Sequence, residues 1–333
     1  MYKNTLHIDL LEDPVILHGS PDDSIGRVLG GFVTFTLAKP MSVKCISLQL
    51  EGKVEFHRIK EIWDKVTIVS RSWILLKPNV ENHILEAKTH QFPFEFALRG
   101  NLPDSVDVPH CRISYKLTAV VERPLFWNIK TRHTLRIQRA CSPLADQRYI
   151  SHSSLGVWAK SVYYSASLDK GSYTAGELIP VNFRFLSHRQ EYCITEINLS
   201  IREVASYTGL NQQPTFDSEK IYQKTLLFKP RSFEEGFQVI IPMPDNVHCD
   251  CSSDIIVVSH LIVAKVRLMD DFQRRWYFYI DVPFIVQSHA QYELSSSPPM
   301  YESTDTPVLA VSPASPDLEI PPPPYQLQEV SCH

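Results

Sequence analysis

The chain has 333 residues, enough for two domains of ordinary size, each with its own core. A composition of 44% hydrophobic and 21% charged residues excludes a low-complexity or wholly unfolded chain. The net charge of −4 gives no electrostatic basis for general nucleic-acid binding, so no nucleic-acid partner is expected.

In chain order, the opening Met1-Tyr-Lys-Asn-Thr-Leu-His-Ile-Asp9 has no signal-peptide hydrophobic region. Val33, Phe35 and Leu37 alternate with Thr34 and Thr36, and Ile46, Leu48 and Leu50 with Ser47, Gln49 and Glu51. Each run predicts a strand with one face on a core and the other in water. Residues 56–68 mix helix and strand formers, with Val66, Thr67 and Ile68 pulling towards strand. Ile113, Tyr115, Leu117 and Ala119 form the next alternating strand, followed by an aromatic-bearing hairpin return at Trp127 to Gln138. Alternation then stops, and polar residues gather between Cys141 and Ser154, where a domain boundary is expected.

The second half repeats the order of the first. Gly26 to Gly31, an alternating strand and Ile46-x-Leu-x-Leu50 are echoed by Gly171 to Gly176, Val181-x-Phe-x-Phe185 and Ile197-x-Leu-x-Ile201. Phe94-Glu-Phe96, Leu102-Pro-Asp-Ser105 and the strand at Ile113 return as Phe237-Gln-Val239, Met243-Pro-Asp-Asn246 and the strand at Ile255. The run Ile255 to Ala264 is about half the length needed to span a bilayer, and its β-branched residues predict a buried strand. A hairpin return at Trp276 to Val286 closes this half. Recurrent short strands with almost no helix predict an all-β chain of two tandem immunoglobulin-like antiparallel sandwiches. The expected limits are 1–140 and 156–288, with a linker over 141–155. The seven cysteines are odd in number and irregularly spaced, which fits a reducing, cytoplasmic compartment.

From His289 onward the texture changes. Nine of the last 45 residues are proline, there is no Lys or Arg, and the charges are Glu293, Glu302, Asp305, Asp317, Glu319 and Glu329. Residues 289–333 are expected to be a disordered tail, because such a segment buries too little apolar surface to offset its chain entropy. It holds two Pro-Pro-x-Tyr motifs, Pro298-Pro299-Met300-Tyr301 and Pro322-Pro323-Pro324-Tyr325. Paired prolines preset a polyproline II backbone for an aromatic groove, and the tyrosine supplies an apolar ring with a polar tip. Pro298, Pro299, Tyr301, Pro322, Pro323 and Tyr325 are therefore the expected WW-domain contacts. Random placement of 24 Pro and 14 Tyr gives roughly 0.07 matches, so the pair is not a product of composition alone. A flexible segment joining motifs about 20 residues apart spans on the order of 25 Å, a reach suited to neighbouring WW domains. Ser297, Thr306, Ser312 and Ser315 each precede a proline and are candidate phosphorylation sites.

The ordered set of Phe92-Pro-Phe-Glu-Phe96, Leu102-Pro-Asp-Ser105, Ile113-Ser-Tyr-Lys-Leu-Thr-Ala119, Glu122-Arg-Pro124 and the Pro-Pro-x-Tyr tail resembles the α-arrestins. The resemblance covers nearly the whole chain. It implies two arrestin-like sandwiches and an adaptor that brings a WW-domain HECT ubiquitin ligase to a membrane transporter or receptor, which is then ubiquitinated, internalised and sorted. It also implies a cytoplasmic protein recruited to the plasma membrane and endosomes. Two positions depart from the family pattern: Glu86-Ala-Lys88 stands where a glycine is usual, and Ala97-Leu-Arg-Gly100 replaces a Leu-Pro pair. A retromer-subunit-like scaffold would share the fold without needing the tail motifs.

Other chemistry is thinly supported. The sequence contains no His-Glu-x-x-His, no Gly-x-Ser-x-Gly and no Walker-type phosphate loop, so no enzyme and no cofactor is expected. His248-Cys249-Asp250-Cys251, with His110-Cys111 at the matching place in the first half, offers metal-ligating types without the usual paired spacing. A strand-connecting loop with reduced cysteines is the favoured reading, and no metal is expected. Arg274-Arg275-Trp276-Tyr277, beside Lys265 and Arg267, is either a charged hairpin edge or a contact for anionic headgroups, which makes peripheral membrane association a candidate.

Overall fold

The computed structural model describes residues 4–58, 61–140, 152–187, 192–208, 214–228, 236–289 and 291. Two sheets built from strands in the first half face each other. One runs β1 (Thr5–Leu10), β3 (Arg27–Thr36), β8 (Thr89–Leu98). The other runs β11 (Ile129–Leu135), β10 (Cys111–Glu122), β5 (Cys45–Arg58), β6 (Glu61–Leu76), with β9 (Val106–Val108) added to β10. Short ladders join β2 (Val15–His18) to β12 (Ile137–Ala140) and β4 (Met41–Val43) to β7 (His83–Leu85).

The second half repeats this plan. Its first sheet runs β13 (Ser153–Trp158), β14 (Val162–Leu168), β16 (Leu178–Ser187), β19 (Phe237–Pro242). Its second runs β15 (Ser172–Thr174), β22 (Arg275–Gln287), β21 (Ile256–Asp270), β17 (Tyr192–Thr208), β18 (Pro214–Leu227), with β20 (Cys251–Ser252) paired to β21. The order β11-β10-β5-β6 is thus matched by β22-β21-β17-β18, the duplication read from the sequence. Among the described residues no helix is long and apolar enough to cross a membrane.

Alternation explains each element. In β10 the residues Cys111, Ile113, Tyr115, Leu117, Ala119 and Val121 are all buried, while Arg112 and Lys116 face water. Residues 56–58 and 61–68 are strand: β5 and β6 pair from Ile46↔Leu76 to Arg58↔Glu61, so the β-branched residues of that stretch prevail over its helix formers. Gly26 sits at φ +87°, and a Cβ there would lie 2.1 Å from the Leu98 carbonyl oxygen, so the turn into β3 accepts glycine alone.

Each half has a contiguous apolar core, but the first borrows from the second. Ala205 of β17, Cys251 of β20, and Ile256 and Val258 of β21 pack into the cluster that holds Leu50, Ile113 and Tyr115. Within the first core, the fully buried Tyr115 donates its hydroxyl proton to the Pro103 carbonyl at 2.7 Å. Tyr115→Phe leaves that carbonyl unpaired in an apolar setting and lowers unfolding stability by about 1–2 kcal/mol. Urea titration should show a lower midpoint at unchanged slope, and an unshifted midpoint would show that the bond contributes nothing.

Candidate functional site

Of the tail expected over 289–333, residues 290 and 292–333 lie outside the described residues, and with them Ser297, Pro298, Pro299, Tyr301, Thr306, Ser312, Ser315, Pro322, Pro323 and Tyr325. Its first residues depart from that expectation, because Gln291 is buried and its side-chain N–H donates to the Arg139 carbonyl at 2.7 Å. Three features of the described part bear on function.

The first is a buried polar chain. Glu203 of β17 stands directly opposite His260 of β21, and His260 Nε2 lies 3.2 Å from Glu203 Oε2. The other ring nitrogen, His260 Nδ1, is 2.7 Å from Asp250 Oδ1. Both ring nitrogens face carboxylates, so both carry protons and the ring is an imidazolium. Burial alone would push the His260 pKa down, but the hydrogen bonds to Asp250 and Glu203 outweigh it and raise it to about 9. For Glu203, burial pulls upward and the bonds from His248 and His260 pull it down to about 2. His248 Nδ1 is 2.8 Å from Glu203 Oε1, and its backbone N–H donates to Oε2 at 3.2 Å. Asp250 Oδ1 also accepts the Val286 N–H at 2.8 Å, and burial pushes the Asp250 carboxyl up.

This chain absorbs the candidate metal ligands. His248 is engaged with Glu203, and Asp250 with His260 and Val286. Cys249 and Cys251 are free thiols whose pKa values burial raises, Cys249 to about 11. Among the described residues no three His, Cys, Asp or Glu side chains converge to hold a metal ion. In the first half, His110 turns to Asp217 at 3.5 Å, and Cys111 is buried at the start of β10. Sequence reasoning passed over Glu203 and His260, although both sit in core-facing phase, Glu203 after Ile197, Leu199 and Ile201, and His260 between Val258 and Ile262. A polar residue at an apolar phase was the available signal.

The second feature is the β21–β22 hairpin. Its outer face carries Lys265 with its ammonium 4.4 Å from the Tyr277 ring centroid, and Tyr277 and Tyr279 meet edge to face. Arg267 is paired with Glu196 and Arg274 with Asp270, both at 2.8 Å. At the tip Phe272 is 79% exposed. The third is an open groove of about 630 Å³ with Leu50, Trp73, Phe96, Leu102 and Ile255 in its wall and Arg71 and Arg99 beside them. Trp73 and Phe96 stack at 3.6 Å.

The imidazolium predicts a pH dependence. A pKa raised from 6.5 to about 9 contributes stability that is complete below pH 6.5 and is lost as pH rises through about 9. A Glu203 pKa lowered from 4.5 to about 2 contributes stability above pH 4.5 that is lost as pH falls through about 2. The two together predict a plateau between those windows and a decline on the order of 3 kcal/mol on the alkaline side. His260→Gln should be destabilised on the plateau and lose most of the alkaline decline. Thermal melts of both proteins at several pH values check this, and parallel curves would refute it.

Comparison with known proteins agrees with this geometry. Residues 18–142 match the family described as Arrestin (or S-antigen), N-terminal domain, and residues 158–290 match its C-terminal domain. An arrestin domain-containing protein of Schizosaccharomyces pombe is 25% identical over 280 residues, covering 77% of this chain and 47% of its own length. A protein of Aspergillus oryzae named as a probable HECT-type ubiquitin ligase-interacting protein, creD, is 26% identical over 293 residues, covering 79% of this chain and 49% of its own. The chain spans about half the length of the curated relatives it matches. With both domain matches in tandem over most of its length, the chain belongs to the arrestin family.

Proposed function

We propose that this arrestin-domain protein is a non-enzymatic adaptor that recruits a WW-domain HECT ubiquitin ligase to a membrane transporter or receptor. The observation that carries the reading is the pair of Pro-Pro-x-Tyr motifs, at 298–301 and 322–325, placed after two arrestin sandwiches. Relatives named as HECT-type ubiquitin ligase-interacting proteins support the ligase as the partner. Pro298, Pro299 and Tyr301 form one docking element and Pro322, Pro323 and Tyr325 the other. The sandwiches take the cargo-facing role, which leads to ubiquitination, endocytosis and endosomal sorting. The protein works in the cytoplasm and at the plasma membrane and endosomes. The Lys265–Tyr277–Tyr279 face and the exposed Phe272 favour transient contact with a headgroup surface during that work.

Engagement of both motifs by one tandem-WW protein raises avidity by roughly 10²–10⁴-fold over a single motif. Tyr301→Ala and Tyr325→Ala should each remove that gain, and the double variant should abolish binding. Calorimetric titration with a tandem-WW protein reads all three, and binding that survives the double variant would point to a ligase-independent scaffold. Phosphate at Ser297 adds roughly −1.5 to −2 charge directly against the first motif. Peptides with and without it should differ in WW affinity by at least about threefold; equal affinities would remove Ser297 as a control point. Thr306, Ser312 and Ser315 stand farther from either motif and serve as comparison sites.

A further inference from the structure

Single apolar side chains on a surface are ordinary, but several together at one projecting point mark a contact. The turn between β10 and β11 is such a point. Leu125, Phe126 and Trp127 follow one another there and are 88%, 70% and 92% exposed. Among the described residues no other three consecutive large apolar side chains stand this open. The turn lies at the outer end of the first sandwich. β10 starts beside His110, which faces Asp217 of the second half, and runs away from it to Glu122.

The turn is fastened from within. Arg123 Nε donates to the Trp127 carbonyl at 2.8 Å, a second guanidinium nitrogen donates to the same oxygen, and the guanidinium lies 5.2 Å from the Phe126 ring centroid. Pro124 has no N–H to satisfy. Both features lower the cost of taking this irregular backbone out of water. Cations surround it. Leu76, Ile46, Val121 and Ile129 form one cross-strand row, so the segments leaving β6 and entering β5 open at the same end as the turn. Over 37–45, 77–88 and 122–130, Lys39, Lys44, Lys77, Lys88, Arg123 and Lys130 stand against Glu81, Glu86 and Glu122, an excess of three positive charges. Val80 and Ile84, in the second of these segments, add exposed apolar surface.

We propose that the Leu125-Phe126-Trp127 turn is a wedge that inserts into an anionic lipid surface, with phosphatidylserine as its headgroup. An apolar apex inside a positive collar complements such a bilayer layer by layer: the apex reaches the acyl boundary while the lysines meet headgroup carboxylates and phosphates. Trp127 suits that boundary, where an indole keeps its ring in an apolar medium and its N–H near water. A fluid bilayer also accepts a projecting apex without a preformed cavity, whereas a protein partner would have to supply a matching pocket ringed by acids. The site is separate from the β21–β22 face: β21 begins at Ile256, in the first core, and ends at Asp270, next to the Phe272 tip.

Flotation of the full chain with phosphatidylcholine vesicles, with and without phosphatidylserine, should show binding that depends on phosphatidylserine. Phe126→Ser/Trp127→Ser should weaken it at least about tenfold, and by more than Phe272→Ser does. Lys39→Glu/Lys77→Glu should weaken it at least about threefold. The substituted side chains are exposed, so urea midpoints should stay at the wild-type value. If the double serine variant unfolds, brominated lipid decides: it should quench wild-type fluorescence more than that of Trp127→Phe. Binding indifferent to phosphatidylserine or to Phe126→Ser/Trp127→Ser, or quenching unchanged by Trp127→Phe, would each overturn the proposal. Failure to bind either vesicle would also overturn it and leave the turn to a protein pocket. The Tyr301→Ala/Tyr325→Ala variant should bind vesicles as wild type does, so the wedge and the ligase reading stand or fall separately.

Discussion

The second sandwich is organised around one buried cation. His260 is held between Glu203 and Asp250 with its side chain out of water, and the three residues come from β17, β21 and the segment entering β20. Taking such charges out of water costs several kcal/mol per ion, which only short, well-directed hydrogen bonds offset. The contacts meet that demand at His260 and Glu203, while among the described residues Asp250 Oδ2 is left without a hydrogen-bond partner. Glu203 accepts from both His260 and His248, and Asp250 ties the cluster to β22 through Val286. A hydrophobic trio of similar volume could equal it in stability, but would not dictate where residues 248–252 cross the strands. The neighbouring ends of β17 and β21 supply Ala205 and Val258 to the first core, so the polar chain also orders the seam between the two halves.

Edges set the second constraint. A duplicated sandwich carries several free strand edges, and their side chains show how each is kept from pairing. Arg71 on β6 stands opposite Leu50 yet is exposed, which suits an edge that stays solvated. β13 has no such device, and Gly156 beneath the Tyr164 ring further narrows what can sit beside it. The positive φ of Ala159 and Lys160 in the turn that follows adds local backbone strain to the same hairpin.

Much of the fold was legible because the sandwich uses a period of two, which a single sequence displays directly. Val33 and Phe35, Ile46 to Leu50, and Ile113 to Ala119 occupy the core faces that alternation assigned to them. The repeat was legible for a related reason: equivalent strands need equivalent turns, so Leu102-Pro-Asp-Ser105 and Met243-Pro-Asp-Asn246 recur in register with their neighbours. The polar chain was not, because its partners lie 45 and 57 residues apart along the chain and meet only through the pairing of β17 with β21. Residue types at His248 and Asp250 suggested metal ligation, and only their distant partners reveal a different use. The departure at Ala97-Leu-Arg-Gly100 has a local consequence: a Cβ on Gly100 would meet the Ser24 carbonyl oxygen at 1.9 Å, so this turn depends on glycine.

Short linear motifs and surfaces differ in how much of their physics a sequence contains. A Pro-Pro-x-Tyr element carries its recognition in four consecutive residues, because proline presets the backbone and one ring supplies the anchor. Its partner class follows from those residues without a fold. Cargo recognition by a sandwich is the opposite case, since the side chains that form any surface come from several strands and are adjacent only after pairing. The groove beside Arg71 and Arg99, for example, draws on β5, β6, β8 and a residue of the second half, Ile255. Under the proposed function, exposed strand positions could change while both the buried phase and the tail motifs stay intact. The surface and the motifs share no residues, so one can vary without disturbing the other.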